Sequence, residues 1–242
     1  MNYWQLSRSA RYSILFAVPL LVAYESLAYL YGGGAVAGVR NGADVLLKSL
    51  FLTLGGARGL LAFDLLLGAA GGYLIWRDRK TSGSLRFSVF ARMLGESVGL
   101  AVVFGGVAGV LTGLLLRGPA PLAMGGLQQF GFGTQVMLSL GAGIYEELLF
   151  RVILVSGLAY LARKLFGWLP GASNILAVVL GALIFSAFHY VGPYGDLWSL
   201  QSFTFRFIAG VLFSGLYLLR GFGITAWTHA LYDVFLSVVG GG

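Results

Sequence analysis

Long apolar runs, separated by short polar loops, occupy most of this chain of 242 residues. A run needs about 20 residues to cross a bilayer as a helix, in which every backbone polar group bonds within its own segment. Hydrophobic residues make up 58% of the chain and charged residues only 10%, too few to cover a water-facing surface. The sequence therefore predicts an all-α, polytopic transmembrane helical bundle of about seven to eight helices, with residues 1–242 as one integral membrane domain.

Seven of the runs are predicted to span the membrane. They are Ser13–Tyr31, Gly59–Trp76, Met93–Leu116, Thr134–Leu161, Ile175–Tyr190, Gln201–Leu219 and Ile224–Val239. A further apolar piece, Asp44–Ala57, is shorter and contains Lys48. We expect this piece to be interfacial or re-entrant; if it spans instead, the helices that follow it are inverted.

Basic residues are distributed unevenly among the loops. With the N-terminus inside, the inner segments carry 10 Lys and Arg residues and the outer segments carry 4, so the positive-inside rule predicts that the N-terminus is inside. The net charge of +7 is explained by these loops. We therefore expect the lipid bilayer as a partner, no nucleic acid, and a prokaryotic plasma membrane as the location. The chain has no Cys, which excludes disulfides, thiolate zinc sites and cysteine nucleophiles.

Ionisable side chains interrupt the apolar runs of the second half of the chain. A charge at mid-membrane costs at least about 2.5–3.5 kcal/mol on insertion scales, so intramembrane charges mark functional sites. Both histidines of the chain belong to this set, which comprises Glu146, Glu147, Arg151, His189, His229 and Asp233. We expect the set to form one buried site. Isolated charges elsewhere in the runs are expected to form structural pairs or to snorkel; they are Glu25, Asp64, Glu96 and Arg206.

The spacing of these residues predicts how they are arranged on helices. Glu147 and Arg151 are four residues apart, so they share a helix face and are predicted to form an ion pair. Glu146 points about 100° away from Glu147 on an α-helix and is left without that partner. A carboxyl group in an apolar, water-limited pocket can act as a general base. The alternatives are a protonated carboxyl that only packs and histidines that are hydrogen-bonded parts of the core.

Three motifs occur in order, each inside an apolar run: Glu146-Glu147-x-x-x-Arg151, Phe185-x-x-x-His189 and His229-x-x-x-Asp233. In these motifs the chain resembles the CPBP family of intramembrane proteases. That family includes the type II CAAX prenyl endopeptidases and bacterial proteins associated with bacteriocin processing and self-immunity. The resemblance covers residues 134–239, the predicted catalytic core, whereas the first three spans match only in being hydrophobic.

The resemblance implies hydrolysis of a peptide bond in a membrane-associated protein or peptide, lipid-bearing or not. In the family mechanism Glu146 and His189 activate a water molecule, and His229 with Asp233 steadies the tetrahedral oxyanion. Peptide hydrolysis needs this combination of a base for the water and donors for the carbonyl oxygen. Supporting roles are expected for Glu147, Arg151 and Phe185, with the first two holding the helix and the Glu146 rotamer.

Asp233 departs from the family pattern, because an Asn is common at its position. Asn offers an N–H donor to an oxyanion, whereas an ionised Asp only accepts. Asp233 is therefore protonated, or it orients His229, or it binds a metal. A metal site would use Glu146, His189, His229 and Asp233, which are zinc-ligand types. We expect catalysis without a cofactor, and zinc is the alternative.

Two other classes of function compete with the protease. A non-catalytic membrane scaffold or immunity-type protein that keeps the fold is favoured by Asp233. A small proton-coupled transporter is suggested by the intramembrane Glu, His and Asp side chains, but the chain is short and shows no inverted repeat. For the protease, the predicted substrate entrance lies at Gln128-Gln129 and at the turn from Gly192 to Trp198.

Overall fold

The computed structural model describes residues 1–31, 39–117, 130–192 and 195–240, and these ranges contain helices and connecting segments but no strand. The helices are α1 (Tyr3–Arg8), α2 (Ala10–Tyr31), α3 (Gly42–Ser82), α4 (Phe87–Leu116), α5 (Phe132–Gly141), a π-helix (Ala142–Val155), α6 (Ser156–Phe166), α7 (Pro170–Phe188), α8 (Leu200–Arg220) and α9 (Phe222–Gly240). The π-helix continues directly from α5 and into α6. The described residues therefore form eight helical segments, of which α3 is interrupted at Gly56, and the predicted all-α bundle is confirmed.

Five helices of the described ranges are long and apolar enough to cross a membrane by length and composition: α2, residues Gly42–Lys80 of α3, α4, α7 and α8. The other two predicted spans are also helical, one within the run from α5 to α6 and one within α9. Apolar side chains such as Leu54, Leu66 and Leu114 face outward, whereas the charged Glu147 and Arg151 are buried. This inside-out distribution is that of an integral membrane protein.

Gly56 divides α3 into two arms. Its φ of 56° and ψ of −143° lie in a region that glycine adopts readily. A Cβ atom at Gly59 would lie 1.9 Å from the carbonyl oxygen of Phe51, and the ring centroids of Phe51 and Phe63 are 5.2 Å apart. Twelve residues of straight helix would separate those rings by about 18 Å. The chain therefore reverses at Gly56, and the predicted re-entrant piece Asp44–Ala57 is the short arm of a helical hairpin.

Small residues bring the π-helix close to its neighbours. A Cβ atom on Gly143 would lie 2.4 Å from the carbonyl oxygen of Ala226 in α9. A Cβ atom on Gly141 would lie 2.6 Å from the Tyr24 ring in α2 and 2.8 Å from the Cβ of Asn41 before α3. Any side chain at these two glycines would push the helices apart. The Gly-Ala-Gly sequence therefore allows α2, the start of α3 and α9 to lie close to the helix segment that carries Glu146 and Glu147.

Of the isolated intramembrane charges, Glu96 and Arg206 form ion pairs, as predicted. The Oε1 atom of Glu96 lies 2.6 Å from Nε of Arg220, which ties α4 to the end of α8. Arg206 forms an ion pair with Asp196 in the segment before α8. Asp64 on the long arm of α3 is exposed, as expected for a side chain that snorkels.

Candidate active site

The predicted catalytic residues line one cavity of about 630 Å³ between the start of α3, the π-helix and helices α7 to α9. The π-helix contributes Glu146, the end of α7 contributes His189, and α9 contributes His229 and Asp233. Phe185 also lines the cavity. Residues separated by more than eighty positions in the sequence therefore line the same cavity in the structure.

Glu146 and Glu147 lie on a π-helix, so the α-helix predicted from the spacing was wrong at this point. The shifted bonding continues to the end of the element, where the Ser156 N–H donates to the carbonyl of Arg151, five residues earlier. A π-turn holds more residues than an α-turn, so neighbouring side chains diverge by less than the predicted angle of about 100°. Helices of this kind are rare and occur frequently at functional sites.

The predicted ion pair between Glu147 and Arg151 is confirmed. Nη1 of Arg151 lies 3.2 Å from Oε1 of Glu147, and the two side chains are 1% and 0% exposed. The Arg151 guanidinium also lies 4.3 Å from the ring centroid of Phe185. A buried guanidinium is stabilised by an aromatic face as well as by a carboxylate, so both contacts hold the charge inside the bundle.

Glu146 and His189 face each other in the cavity. Nδ1 of His189 lies 2.8 Å from the carbonyl oxygen of Phe185, which can only accept, so Nδ1 donates and the neutral ring presents a lone pair at Nε2. This Nε2 lies 4.0 Å from Oε2 of Glu146. Oε2 is buried and has no hydrogen-bond partner among the described residues. Both atoms are acceptors, so their geometry suits a small molecule that donates to both.

His229 is held by Glu147, a contact that the sequence analysis missed. Nδ1 of His229 lies 2.6 Å from Oε1 of Glu147, whose pairing with Arg151 makes it an acceptor, so Nδ1 donates. Nε2 of His229 is turned toward Asp233, with 3.6 Å between Nε2 and Oδ2. The ring of Phe213 stacks on the imidazole with centroids 4.4 Å apart. Glu147 therefore orients His229 in addition to pairing with Arg151.

Phe185, the aromatic residue of the second motif, packs among the polar groups of the site. Its ring centroid lies 4.8 Å from that of His189 and 6.1 Å from that of His229, in edge-to-face geometry. The side chain is buried. Because it contacts both imidazoles and Arg151, Phe185 limits the rotamers that the two histidines can adopt.

Asn41 is a contact of Glu146 that the sequence analysis also missed. Its Nδ2 atom donates to Oε1 of Glu146 over 2.8 Å, and its Oδ1 atom accepts from the backbone N–H of Ala43 over 2.9 Å. An Asn immediately before an apolar helix is a typical N-cap signal. That signal indicates the bond to Ala43, but it does not indicate which residue the amide group meets on its other side.

The turn predicted as a substrate entrance contributes to the cavity. Gly192, Gly195 and Asp196 line it, next to Arg206 of α8. The other predicted entrance, at Gln128-Gln129, lies outside the described residues. The rest of the wall is mainly apolar and includes Val45, Leu138, Phe188, Phe205 and Leu236. Polar groups are therefore concentrated at the turn and at the Glu146 end of the cavity.

The zinc alternative depends on how the four candidate ligands lie relative to one another. Protein zinc sites use three or four ligands at about 2.0–2.3 Å from the ion. In the part of the chain that the structure describes, no group of three or more His, Asp or Glu side chains is placed to hold an ion together. His229 directs Nδ1 to Glu147, and His189 directs Nδ1 to a carbonyl oxygen, so each ring leaves Nε2 for another partner, as metal-binding histidines also do.

Comparison with known families identifies the region that carries this site. Residues 128–235 match the family model described as Type II CAAX prenyl endopeptidase Rce1-like. The match contains all three motifs and confirms the resemblance that they indicated. No curated protein and no solved structure matched the chain.

Proposed function

We propose that the chain is an intramembrane endopeptidase that uses a water molecule activated by Glu146 and His189, and the match of residues 128–235 to the Rce1-like family model supports this proposal. The substrate is a membrane-associated protein or peptide, lipid-bearing or not. The observation that carries the proposal is the pair of acceptors in the cavity. Oε2 of Glu146 and Nε2 of His189 lie 4.0 Å apart, and the carboxylate oxygen has no partner among the described residues.

A water molecule fits between these two atoms, because hydrogen bonds of about 2.8 Å to each match the separation. It donates a hydrogen to each acceptor and directs an oxygen lone pair at the carbonyl carbon of the substrate. Attack forms the new C–O bond while Glu146 takes the proton, and the carbonyl oxygen becomes negative. Collapse of the tetrahedral intermediate breaks the C–N bond, and Glu146 returns the proton to the departing amine. His189 holds the water in line during attack.

His229 is the proposed donor to the oxyanion. Nδ1 is used by Glu147, so Nε2 remains for the substrate, and it donates only when the ring is protonated. The carboxylates of Glu147 and Asp233 flank the ring and compensate its positive charge. Of the three alternatives for Asp233, the 3.6 Å approach to Nε2 supports the one in which Asp233 orients His229.

The shape and lining of the cavity support an extended, apolar substrate segment. Its volume of about 630 Å³ lies in the range of small-ligand sites. Phe130, Phe188 and Phe205 supply apolar surface to the cavity wall. We infer that the substrate segment enters the cavity from the bilayer at the turn around Gly195. The proposed location is a prokaryotic plasma membrane, and the distribution of basic residues among the loops supports an N-terminus on the inside.

Replacing His189 by Phe should lower kcat about 10²-fold with little change in KM, because the variant keeps an aromatic ring but loses the acceptor that aligns the water. Purified parent and variant would be reconstituted in liposomes with a diverse peptide library, prenylated and unprenylated, and cleavage would be read by mass spectrometry. Tyr217→Phe is the matched control, since it removes only a hydroxyl that bonds Ser156, and Tyr217 does not line the cavity. Equal cutting by parent and His189→Phe would disprove the assigned role, and silence from both would favour the non-catalytic scaffold.

Turnover should survive exhaustive chelation of the purified parent protein. The physical reason is that Nε2 of His189 and Oε2 of Glu146 lie 4.0 Å apart, a separation that suits a bridging water molecule, and that no three His, Asp or Glu side chains of the described residues are placed to hold an ion together. The measurement combines cleavage before and after chelation with elemental analysis of zinc in the same samples. Stoichiometric zinc whose removal abolishes turnover, and whose return restores it, would contradict the metal-free mechanism.

A further inference from the structure

The Glu146 carboxylate has two oxygen atoms with different partners. Oε1 accepts from Nδ2 of Asn41 over 2.8 Å, whereas Oε2 faces His189. We propose that Asn41 is a positioning residue for the protease reaction, which fixes the Glu146 carboxylate so that Oε2 is presented to the water at Nε2 of His189. This inference rests on the proposed function. Asn41 lies outside residues 128–235, so it belongs to the part of the chain that the family match does not cover.

The orientation of the Asn41 amide is set from both ends. Oδ1 accepts from the Ala43 N–H at the first turn of α3, which requires the oxygen on that side. Nδ2 is therefore on the opposite side and points at the carboxylate, where a donor is needed. The side chain is 6% exposed, so water does not compete for either bond. A flipped amide would lose both bonds and place two oxygen acceptors against each other.

The backbone of Asn41 is held as firmly as its side chain. Its N–H donates to the hydroxyl of Tyr24 over 3.2 Å, and that hydroxyl donates to Oδ2 of Asp44 over 2.8 Å. The missing side chain at Gly141 allows Tyr24 and Asn41 to approach the π-helix directly. The residue is therefore fixed relative to α2, α3 and the π-helix at once.

A charge cluster locks the start of α3 in this position. It consists of two carboxylates and two cations: Glu25, Arg40, Asp44 and Lys48. Arg40 pairs with both carboxylates, and Lys48 lies 2.8 Å from Asp44 and 3.2 Å from Glu25. Burial lowers the pKa of the Arg40 guanidinium, but the nearby Asp44 and Tyr24 raise it more, so the net shift of this pKa is upward and Arg40 stays charged.

The same charge cluster is also linked to the proposed base Glu146 through the neighbouring residue Tyr145. The Tyr145 hydroxyl donates to Oε1 of Glu25 over 2.8 Å, and Tyr145 precedes Glu146 directly in the chain. The charge cluster therefore fixes both the backbone next to Glu146 and the Asn41 amide that contacts the Glu146 side chain. Misplacement of a reacting group by about 1 Å can lower a rate about 10²-fold, so a device that fixes one carboxylate oxygen has a kinetic effect.

The test separates the N-cap role of Asn41 from its contact with Glu146. Ser and Asp are N-caps as good as Asn, whereas Ala is poor, so a purely structural role predicts that Asn41→Ser and Asn41→Asp keep activity and Asn41→Ala loses it. The positioning role predicts another order. Asn41→Ser should lower kcat about tenfold with KM unchanged, and Asn41→Asp about 10²-fold, because Ser cannot reach Glu146 and Asp offers it an acceptor.

The matched control is Asn2→Ser, which changes the N-cap of α1, where Asn2 accepts from Gln5 N–H. It should leave kcat and KM unchanged. Wild-type kinetics in Asn41→Ser or Asn41→Asp would overturn the inference while leaving the protease proposal intact. Loss of activity confined to Asn41→Ala would also overturn it, since that is the pattern of a cap.

A second measurement needs no substrate. Asn41→Ser should lower Tm by about 4 °C in the parent background, because a hydrogen bond to a buried charged group is lost. In the Glu146→Ala background it should leave Tm unchanged, since no carboxylate remains for the amide. The same shift in both backgrounds would overturn the contact on which the inference depends. This outcome is independent of whether the protein cleaves any peptide.

Discussion

Replacing Glu146 by Gln should lower kcat/KM for peptide cleavage by about 10³-fold, because the variant loses the general base. The Gln side chain has nearly the same shape, and its Oε1 atom can still accept from Nδ2 of Asn41. Its NH2 group, however, cannot take a proton from water. The variant therefore removes the chemistry while keeping the side chain in place. Steady-state cleavage in liposomes, compared with the parent at equal protein concentration, measures the effect.

Asp64→Asn is the matched control for this experiment. Asp64 is also an acidic residue on a membrane-spanning helix, but it is exposed and does not line the cavity. We expect its kcat/KM to stay within about twofold of the parent, since changes remote from the site leave the reacting groups in place. Equal cutting by the parent and Glu146→Gln would mean that another residue is the base.

Replacing Glu147 by Gln should have the largest effect on stability. The carboxylate of Glu147 is the shared partner of Arg151 and His229, and the Arg151 side chain is 1% exposed. Removing one partner of a buried ion pair leaves an uncompensated charge and costs about 3–5 kcal/mol. For a chain of this length that corresponds to a fall in Tm of about 10 °C. Thermal unfolding in one detergent, followed by tryptophan fluorescence, measures the shift.

The double variant Glu147→Gln/Arg151→Met tests the reason for this loss. Met removes the unpaired cation at similar volume, so the double variant should be more stable than Glu147→Gln alone. Asp64→Asn is the control for loss of one acidic group, because Asp64 is exposed on α3, and its Tm should equal that of the parent. If the changes in Tm caused by Glu147→Gln and by Arg151→Met alone simply add in the double variant, the two side chains do not stabilise each other and the explanation is wrong.

The structure explains why the six charged residues of the second half could be assigned to one site in advance. Glu146, His189 and Asp233 lie in apolar helices, where a lone charge is costly, so they can only persist beside other polar groups. The spacing of Glu147 and Arg151 also sufficed for their pairing, because residues four apart are neighbours on either type of helix.

Two features of the site could not be anticipated in this way. The π-helix depends on which backbone carbonyl each N–H selects, and the side-chain pattern of Tyr145 to Arg151 is compatible with either choice. The bonds of Asn41 to Glu146 and of Glu147 to His229 join residues 105 and 82 positions apart. Such contacts depend on how closely helices approach, which Gly141 and Gly143 permit but do not specify.

The sequence by itself determined that the protein is an all-α membrane bundle and that its intramembrane charges need polar neighbours, because hydropathy and the cost of an intramembrane charge act on each segment locally. Only the tertiary structure decided which oxygen of Glu146 faces His189, which carboxylate holds His229, and that Asn41 contacts the proposed base. These are properties of distances between helices. These distances are set when the helices pack closely and the buried polar groups find hydrogen-bond partners on neighbouring helices. No single segment of the sequence contains that information.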